Sequence, residues 1–389
     1  MEAVGEWGGL DTSNTRLLGD VQTGYTFFRE GDVLVAKITP CFENGKGALA
    51  GGLLDGFGFG TTELHVISPS AAVDSRFLFY VTISHPFRLL GQGEMFGAGG
   101  QKRVPESFLL DFPIGLPAVP EQRAISSFLD RKTGAIDALI AKKERLIELL
   151  QEKRQALITQ AVTKGLDPNV PMKDSGVEWL GRIPSHWEFC RLKQISRRVV
   201  VGIAQAATHA YCDDGVPIIR STNLRANRID LDELLHIDRL FADELRSKYI
   251  YPGDLLTVRT GNAGVTAVVP DALPKYQCFT MLITTLRPGH VPQFFSYLLN
   301  SDLGATYFDM ESWGTAQANI SVPILQNAPV FVPPAREQRE ILAFLGTALL
   351  AMDRLLDRTL RQIETVREYR QALITAAVTG KIDVSNEAA

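Results

Sequence analysis

Apolar residues recur at intervals of three or four in two long stretches of the chain, with charged residues between them. This spacing places the apolar side chains on one face of an α-helix. Prolines cluster just before each stretch and a glycine follows soon after it, as is usual at the two ends of a helix. We therefore predict two long amphipathic helices, whose apolar positions are Ile136, Leu139, Leu146, Leu150 and Leu157 in the first and Met352, Leu355, Val366 and Leu373 in the second.

The two predicted helices are copies of one another. The tripeptide Glu-Gln-Arg at 121–123 recurs at 337–339, and we call the displacement between the two the repeat offset. When the chain is aligned with itself at this offset without a gap, 22 of the 43 residues in 121–163 are identical to their counterparts. The hexapeptide Arg-Gln-Ala-Leu-Ile-Thr occurs in both copies, at 154–159 and at 370–375. Shared helical composition does not produce the same hexapeptide in the same register, so the chain is a tandem duplication. We expect the related helices to pack on each other, antiparallel about a pseudo-twofold axis.

The regions ahead of the two helices have diverged. Both contain short strand-like runs, such as Gly31–Ile38 and Gly253–Arg259, and helix-like segments between turns rich in glycine and proline. We predict an α+β fold in which two mixed α/β modules are separated by two long helices forming an antiparallel coiled coil, a pseudo-twofold tandem repeat. The predicted divisions are a first module 1–116, a helical region 117–165, a linker 166–188, a second module 189–332, a helical region 333–381 and a tail 382–389.

The composition argues against several functional classes. The 389 residues contain no apolar run long enough to span a membrane and no secretory signal, so a cytoplasmic protein is expected. The four cysteines and six histidines lack the spacing of metal ligands. We find no phosphate loop, cofactor loop or catalytic motif, and we predict no catalytic residue, no metal and no cofactor in this chain. The net charge of −4 indicates that a partner supplies part of any DNA-embracing surface.

Polar loops at equivalent positions of the two modules are the best candidates for function. Arginine reads guanine edges and asparagine or glutamine reads adenine edges in the DNA major groove, while lysine and threonine mostly hold phosphates. Any single residue is explained as well by a solvated loop, but the pairing of diverged loops at equivalent positions favours a reading surface. The predicted DNA-binding residues are Lys37, Thr39, Asn44, Lys46, Gln101, Lys102, Arg103, Arg191, Arg197, Arg198, Arg220, Asn223, Arg225, Arg259, Thr260, Asn262, Gln317 and Asn319.

The repeated motifs resemble those of a known protein family. Leu116–Arg123 and Leu157–Thr163 resemble parts of the central conserved region of type I restriction–modification specificity subunits (HsdS), and Pro333–Thr379 is similar to its distal counterpart. Met172–Trp187 resembles the entry to a target recognition domain of that family. The first copy has no equivalent of residues 177–216, so we expect its recognition domain to lack an N-terminal start, either because Met1 is not the natural start or because the gene is truncated.

The resemblance implies two target recognition domains, each reading one half of a bipartite, asymmetric site in double-stranded DNA. It also implies that the helix pair acts as a spacer and docks two modification (methyltransferase) subunits, to which restriction subunits attach. A 43-residue helix spans roughly 64 Å at about 1.5 Å per residue, and the part from Ile136 onward, roughly 42 Å long, suits half-sites about one DNA turn apart. S-adenosylmethionine, ATP and Mg would be bound by the partner subunits, and no membrane is involved.

Two other interpretations stay open from the residues alone. The first is a coiled-coil adaptor without sequence-specific DNA binding, which salt-dependent, sequence-specific retention of DNA would exclude. The second is a self-contained DNA methyltransferase or nuclease. The absent cofactor and catalytic motifs count against it, and binding of S-adenosylmethionine by the isolated chain would revive it.

Overall fold

The chain forms two compact units, each built from one module and parts of both long helices. The computed structural model describes residues 1–204, 208–271, 275–312 and 319–384. Unit 1 comprises Met1–Leu146 and the chain from Arg358 onward, and unit 2 comprises Ile147–Asp357. The mixed α+β fold with two long helices is confirmed, while the predicted domain divisions stay a prediction.

Unit 1 begins with a small mixed module. Its strands and α-helices are α1 (Leu18–Val21), β1 (Thr26–Arg29), β2 (Val33–Ala36), β3 (Gly47–Leu49), β4 (Phe57–Gly60), β5 (Leu64–Ile67), α2 (Ser75–Thr82), α3 (His85–Gly93), α4 (Glu106–Asp111) and α5 (Val119–Lys164). The four apolar residues of β2 are all buried, and β2 is the central strand of an antiparallel sheet in the order β3-β2-β5. The Asp74 carboxylate accepts hydrogen bonds from the first turn of α2 and so fixes where that helix begins.

Unit 2 contains a larger module with two principal sheets. Its strands and α-helices are β6 (Met172–Asp174), β7 (Arg182–Pro184), β8 (Glu188–Arg191), α6 (Leu192–Ile195), β9 (Ser196–Val201), β10 (Tyr211–Cys212), β11 (Val216–Ile219), β12 (Leu224–Arg225), β13 (Arg228–Ile229), β14 (Leu235–Ile237), α7 (Arg239–Glu244), β15 (Tyr249–Ile250), β16 (Leu255–Thr257), β17 (Thr266–Val268), β18 (Tyr276–Cys278), β19 (Leu282–Leu286), α8 (Pro292–Leu299), α9 (Asp302–Glu311), α10 (Val322–Asn327), β20 (Pro329–Val332) and α11 (Ala335–Val378). The sheets have the strand orders β10-β14-β11-β18-β15 and β17-β16-β19-β9. The second sheet corresponds to β3-β2-β5 of unit 1 with one additional strand, β9.

The long helices pair in the predicted antiparallel direction. Within unit 1, Asp137 of α5 accepts from Arg370 of α11 at 2.9 Å, and Glu144 accepts from Arg367 at 3.0 Å, so the partner number falls as the α5 number rises. Within unit 2, Arg154 of α5 pairs with Asp353 of α11. At the repeat offset, Arg370 is the counterpart of Arg154 and Asp353 is the counterpart of Asp137. The two ion pairs are therefore the same contact, made once in each unit by exchanged copies of the repeat.

The identical hexapeptide attaches each long helix to a module. In unit 2 the attached helix is α5. Gln155 Nε2 donates to the Asn300 carbonyl at 3.2 Å, and Thr159 Oγ1 accepts from the backbone N–H of Asp302, the first residue of α9, at 3.1 Å. Ile158, which lies between them, is buried in the module core. The hexapeptide of the first copy thus holds α5 to the module of the second copy.

The second hexapeptide makes the reciprocal contacts in unit 1. Gln371 Nε2 donates to the Ile83 carbonyl at 3.0 Å, and Thr375 Oγ1 accepts from the backbone N–H of His85, the first residue of α3, at 3.1 Å. Ile374 is buried in the core of this unit. The two identical hexapeptides thus make equivalent contacts with the backbone of two diverged modules.

Candidate nucleic-acid interface

In unit 1 the two predicted loops lie side by side. Ile38 forms an isolated antiparallel bridge with Arg103. Thr39 donates its N–H to the Lys102 carbonyl at 2.9 Å, and the Val104 N–H donates to the Lys37 carbonyl at the same distance. The backbone therefore brings Lys37, Thr39 and Lys102 together, although the two loops are distant in the chain.

The side chains of this surface differ in their freedom to bind. Arg103 is held by Glu63 through two hydrogen bonds of 2.9 and 2.8 Å, and the bond from Arg103 lowers the pKa of Glu63. Sequence reasoning missed Glu63, because it lies far from Arg103 in the chain and belongs to no motif. Lys46 Nζ lies 3.5 Å from the Met1 carbonyl, while Asn44 and Gln101 are exposed to solvent.

Unit 2 repeats the same loop junction with different side chains. Thr260 forms the bridge with Asn319, and the Ile320 N–H donates to the Arg259 carbonyl at 2.9 Å. These contacts match the bridge and the backbone bond made by the aligned residues of unit 1. Asn262 is exposed nearby in the chain, and Gln317 lies outside the described residues. The predicted equivalence of the loop pairs is thus visible in the backbone, while their contact with DNA stays a prediction.

A hairpin in unit 2 places two arginines opposite each other. Arg225 of β12 and Arg228 of β13 are directly paired in the antiparallel register, and both are exposed. Like charges in this arrangement repel each other in the absence of an anion. Arg225 Nη1 is oriented by the carbonyls of Thr222 and Leu224, each at 2.9 Å. The hairpin therefore places two exposed arginines at directly opposed backbone positions.

Arg198, another predicted residue, has a structural contact instead of a free side chain. It donates to the buried Asp254 carboxylate at 3.1 Å and to the Tyr249 carbonyl at 3.0 Å. Burial raises the pKa of Asp254, and its bonds with Thr285, the Tyr251 N–H and Arg198 oppose that shift. This contact fixes the local fold, and DNA binding by Arg198 stays a prediction.

The remaining predicted residues of unit 2 are also partly engaged in the fold. Asn223 is buried and accepts from the Arg220 N–H at 3.1 Å. Arg191 donates to the Asn327 carbonyl at 2.9 Å, whereas Arg197 is exposed. DNA binding by these residues likewise stays a prediction.

Metal ligands and membrane-spanning helices were sought among the described residues. Within it, no three or more histidine, cysteine, aspartate or glutamate side chains are placed to hold a metal ion. None of its helices combines the length and apolar character needed to cross a membrane.

Comparisons with known proteins relate this chain to one family. Residues 184–365 match the type I restriction modification DNA specificity domain. The chain is 25% identical over 447 aligned positions to the type I restriction enzyme EcoEI specificity subunit of Escherichia coli, covering 92% of this chain and 74% of that protein. It is 47% identical over 107 residues to the EcoAI specificity subunit of Escherichia coli, covering 27% of this chain and 18% of that protein.

Solved structures show the same fold at lower sequence identity. A chain from a study of complex assembly and conformational transition in the type I R-M system aligns with a TM-score of 0.71 and 18% identity, over 92% of this chain and 85% of that one. The HsdS subunit from Thermoanaerobacter tengcongensis aligns with a TM-score of 0.54 and 17% identity, over 98% of this chain and 89% of that one. Residues 184–365 therefore carry a type I restriction modification DNA specificity domain, and with its repeated helices and its two modules the whole chain is similar to type I restriction–modification specificity subunits.

Proposed function

We propose that this chain reads a bipartite, asymmetric DNA site, with one half read by the module of unit 1 and the other by the module of unit 2. The observation that carries this proposal is the loop junction, which has the same backbone contacts in both units but different side chains. Lys37 and Lys102 occupy it in unit 1, whereas Arg259, Thr260 and Asn319 occupy it in unit 2. A shared backbone with unlike side chains suits two related surfaces that read unlike base sequences.

Phosphate contacts would position each module before any base is read. The opposed Arg225 and Arg228 support this role in unit 2, because a phosphate between them would remove their mutual repulsion. Contacts of this kind contribute affinity that falls with salt and carry no sequence information by themselves. Bases would then be discriminated by the side chains at the loop junction.

The chain would perform no catalysis itself and would dock modification and restriction subunits, which would carry S-adenosylmethionine, ATP and Mg. The long helices offer docking positions in duplicate. Leu139 of α5 and Leu355 of α11 are counterparts at the repeat offset and are both exposed, although each belongs to the apolar pattern of its helix. Equivalent apolar positions suit two copies of one partner, which would bury them. This supports two modification subunits per chain.

The test is to express the chain with a modification subunit from the same source, in a host free of DNA methylation, and to map methylated adenines across the genome. A split motif with two unlike halves and an unread spacer is the expected result. Substitutions at Arg259 and Asn319 should then change one half of the motif, and substitutions at Lys37 and Lys102 the other. A motif without a spacer, or one in which both sets of substitutions alter the same half, would contradict the assignment of one half to each unit.

A further inference from the structure

One ion pair of unit 1 lies at the loop junction itself. Arg103 Nε donates to Glu63 Oε2 at 2.9 Å, and Arg103 Nη2 donates to Glu63 Oε1 at 2.8 Å. The Arg103 side chain is 41% exposed and the Glu63 side chain is 27% exposed. The pair therefore belongs to the surface to which the proposed function assigns the reading of DNA.

The backbone on both sides of the pair is fixed by neighbouring segments. Arg103 forms isolated antiparallel bridges with Ile38 and with Phe96. The Glu63 carbonyl accepts from the Lys37 N–H at 3.0 Å. Because both backbones are held and two guanidinium nitrogens bond to one carboxylate, the fold sets the position and the plane of the Arg103 guanidinium before any DNA binds.

Unit 2 forms the same junction without this pair. Asn319 takes the position of Arg103 in the bridge with Thr260. The register of β16 and β19, compared with that of β2 and β5, places Thr280 where unit 1 has Glu63. The backbone of the junction thus does not require an arginine and a glutamate, and the pair is particular to unit 1.

The bonds to Glu63 leave one edge of the guanidinium available. Arginine carries five N–H donors in a planar fork. Nε and Nη2 face the carboxylate, so the remaining edge consists of Nη1 and the second hydrogen of Nη2. Among the residues that the structure describes, Arg103 Nη1 makes no hydrogen bond. The pair therefore presents two adjacent donors in a fixed plane.

Two adjacent donors match one base edge in the DNA major groove. Guanine presents N7 and O6 as neighbouring acceptors, whereas adenine presents an acceptor and a donor, thymine one acceptor and cytosine a donor. A phosphate is a poorer partner, because the Glu63 carboxylate neutralises Arg103 and repels a second anion. We infer that Arg103 reads a guanine in the half-site of unit 1 and that Glu63 is its positioning residue, an inference that rests on the proposed function.

Two substitutions separate positioning from a role in folding alone. Arg103→Gln should lower the preference for guanine at one position of the half-site by about fivefold or more, which is the discrimination of one bidentate contact. Glu63→Gln should lower the same preference, because the guanidinium loses the partner that orients it. It should also strengthen binding to all DNA sequences and raise the salt dependence by about one phosphate contact, because the charge of Arg103 is no longer neutralised. A role in folding alone predicts no such gain in binding.

The test uses the chain assembled with a modification subunit from the same source. Duplexes that the complex retains from a random-sequence library are sequenced for the wild type, the two single variants and the double variant, and affinities are measured at several salt concentrations. In the wild type, guanine is expected in the half-site that substitutions at Lys37 and Lys102 alter. The double variant should have the base preference of Arg103→Gln, because no guanidinium remains to be positioned.

Arg76→Gln is the matched control. Arg76 of α2 pairs with Asp130 of α5 at 3.0 Å, and its side chain is 45% exposed, so the same substitution removes a similar ion pair away from the junction. It should leave the selected site unchanged. A variant that loses the whole half-site instead of one position has lost the fold of unit 1, and Glu63→Gln, which leaves Arg103 in place, then decides.

Three outcomes would overturn the inference. One is a unit 1 half-site without guanine, and another is a guanine preference that survives Arg103→Gln. The third is a loss of affinity for all sequences alike in Arg103→Gln with the salt dependence lowered by about one contact, which would make Arg103 a phosphate contact. A wild-type complex that selects no bipartite site would instead refute the proposed function, and this result is obtained without any variant, so the two failures are distinguishable.

Discussion

The substitution Gln122→Leu tests how much a buried hydrogen-bond network stabilises unit 1. Gln122 belongs to the Glu-Gln-Arg motif, which occurs in both copies of the repeat. Gln122 is fully buried at the start of α5. Its Oε1 accepts from the Asp74 N–H at 2.7 Å, and its Nε2 donates to the carbonyls of Ala72 at 2.9 Å and Pro117 at 2.8 Å. The amide thus ties the N-terminus of α2 to the start of α5, and leucine, which fills a similar volume, cannot replace these bonds.

The magnitude follows from the three bonds. Each neutral hydrogen bond contributes about 1 kcal/mol net, and a partner that stays buried costs more when it is left unpaired. Ala72 is exposed and its carbonyl can be rehydrated, so we expect a total loss of about 3 kcal/mol in unit 1. With a urea dependence of about 2 to 3 kcal/mol per molar, the midpoint should fall by about 1 to 1.5 M.

The assay must resolve the two units, because one global free energy of unfolding is not defined when units unfold separately. Hydrogen exchange in urea, read by mass spectrometry on peptides from each unit, provides that resolution. Gln338→Leu is the matched variant in unit 2, where Gln338 bonds to the Pro333 carbonyl and the Val291 N–H, each at 2.8 Å. Gln151→Leu, at an exposed position of α5, is the control and should have little effect. A midpoint shift below about 0.3 M for unit 1 in Gln122→Leu would refute the reasoning.

Three further predictions concern an ion pair, a buried thiol and the opposed arginines. Asp137→Ala should destabilise unit 1 by about 1 to 3 kcal/mol, because it removes the ion-pair partner of Arg370, whose side chain is only 9% exposed. Asp353→Ala should destabilise unit 2 by less than about 1 kcal/mol, because the Arg154 side chain is 37% exposed. Equal effects of the two substitutions in hydrogen exchange would contradict this expectation. Burial raises the pKa of the Cys278 thiol to about 12, so the folded state retains a proton that the unfolded state releases above about pH 9, and stability should fall as pH rises through that range. Cys278→Ala should flatten this slope in urea unfolding measured from pH 8 to 10.5, and an unchanged slope would assign it to other groups. Arg225→Gln or Arg228→Gln should weaken binding of the assembled complex to all DNA sequences alike and lower the salt dependence by about one phosphate contact, while a changed sequence preference would instead make the residue a base reader.

The sequence by itself determined the repeat, the two long helices and the resemblance to a family. These features are encoded locally, because a helical period and an identical hexapeptide are visible without knowing which residues meet in space. The glutamine of the Glu-Gln-Arg motif could be marked as repeated, but its burial and its bonds to Ala72 and Pro117 could not be foreseen. Likewise, nothing in the sequence indicates that Arg198, a predicted DNA-binding residue, contacts the buried carboxylate of Asp254.

Only the tertiary structure decided how the copies are exchanged between the units. Each hexapeptide is distant in the sequence from the short helix that it contacts, so the bonds of Thr159 to α9 and of Thr375 to α3 depend on tertiary packing rather than on local pattern. It also decided which predicted loops share a surface, since the contact between Thr39 and Lys102 joins two loops that are distant in the chain. Local preferences specify elements, whereas these contacts arise only when buried apolar faces force distant elements together.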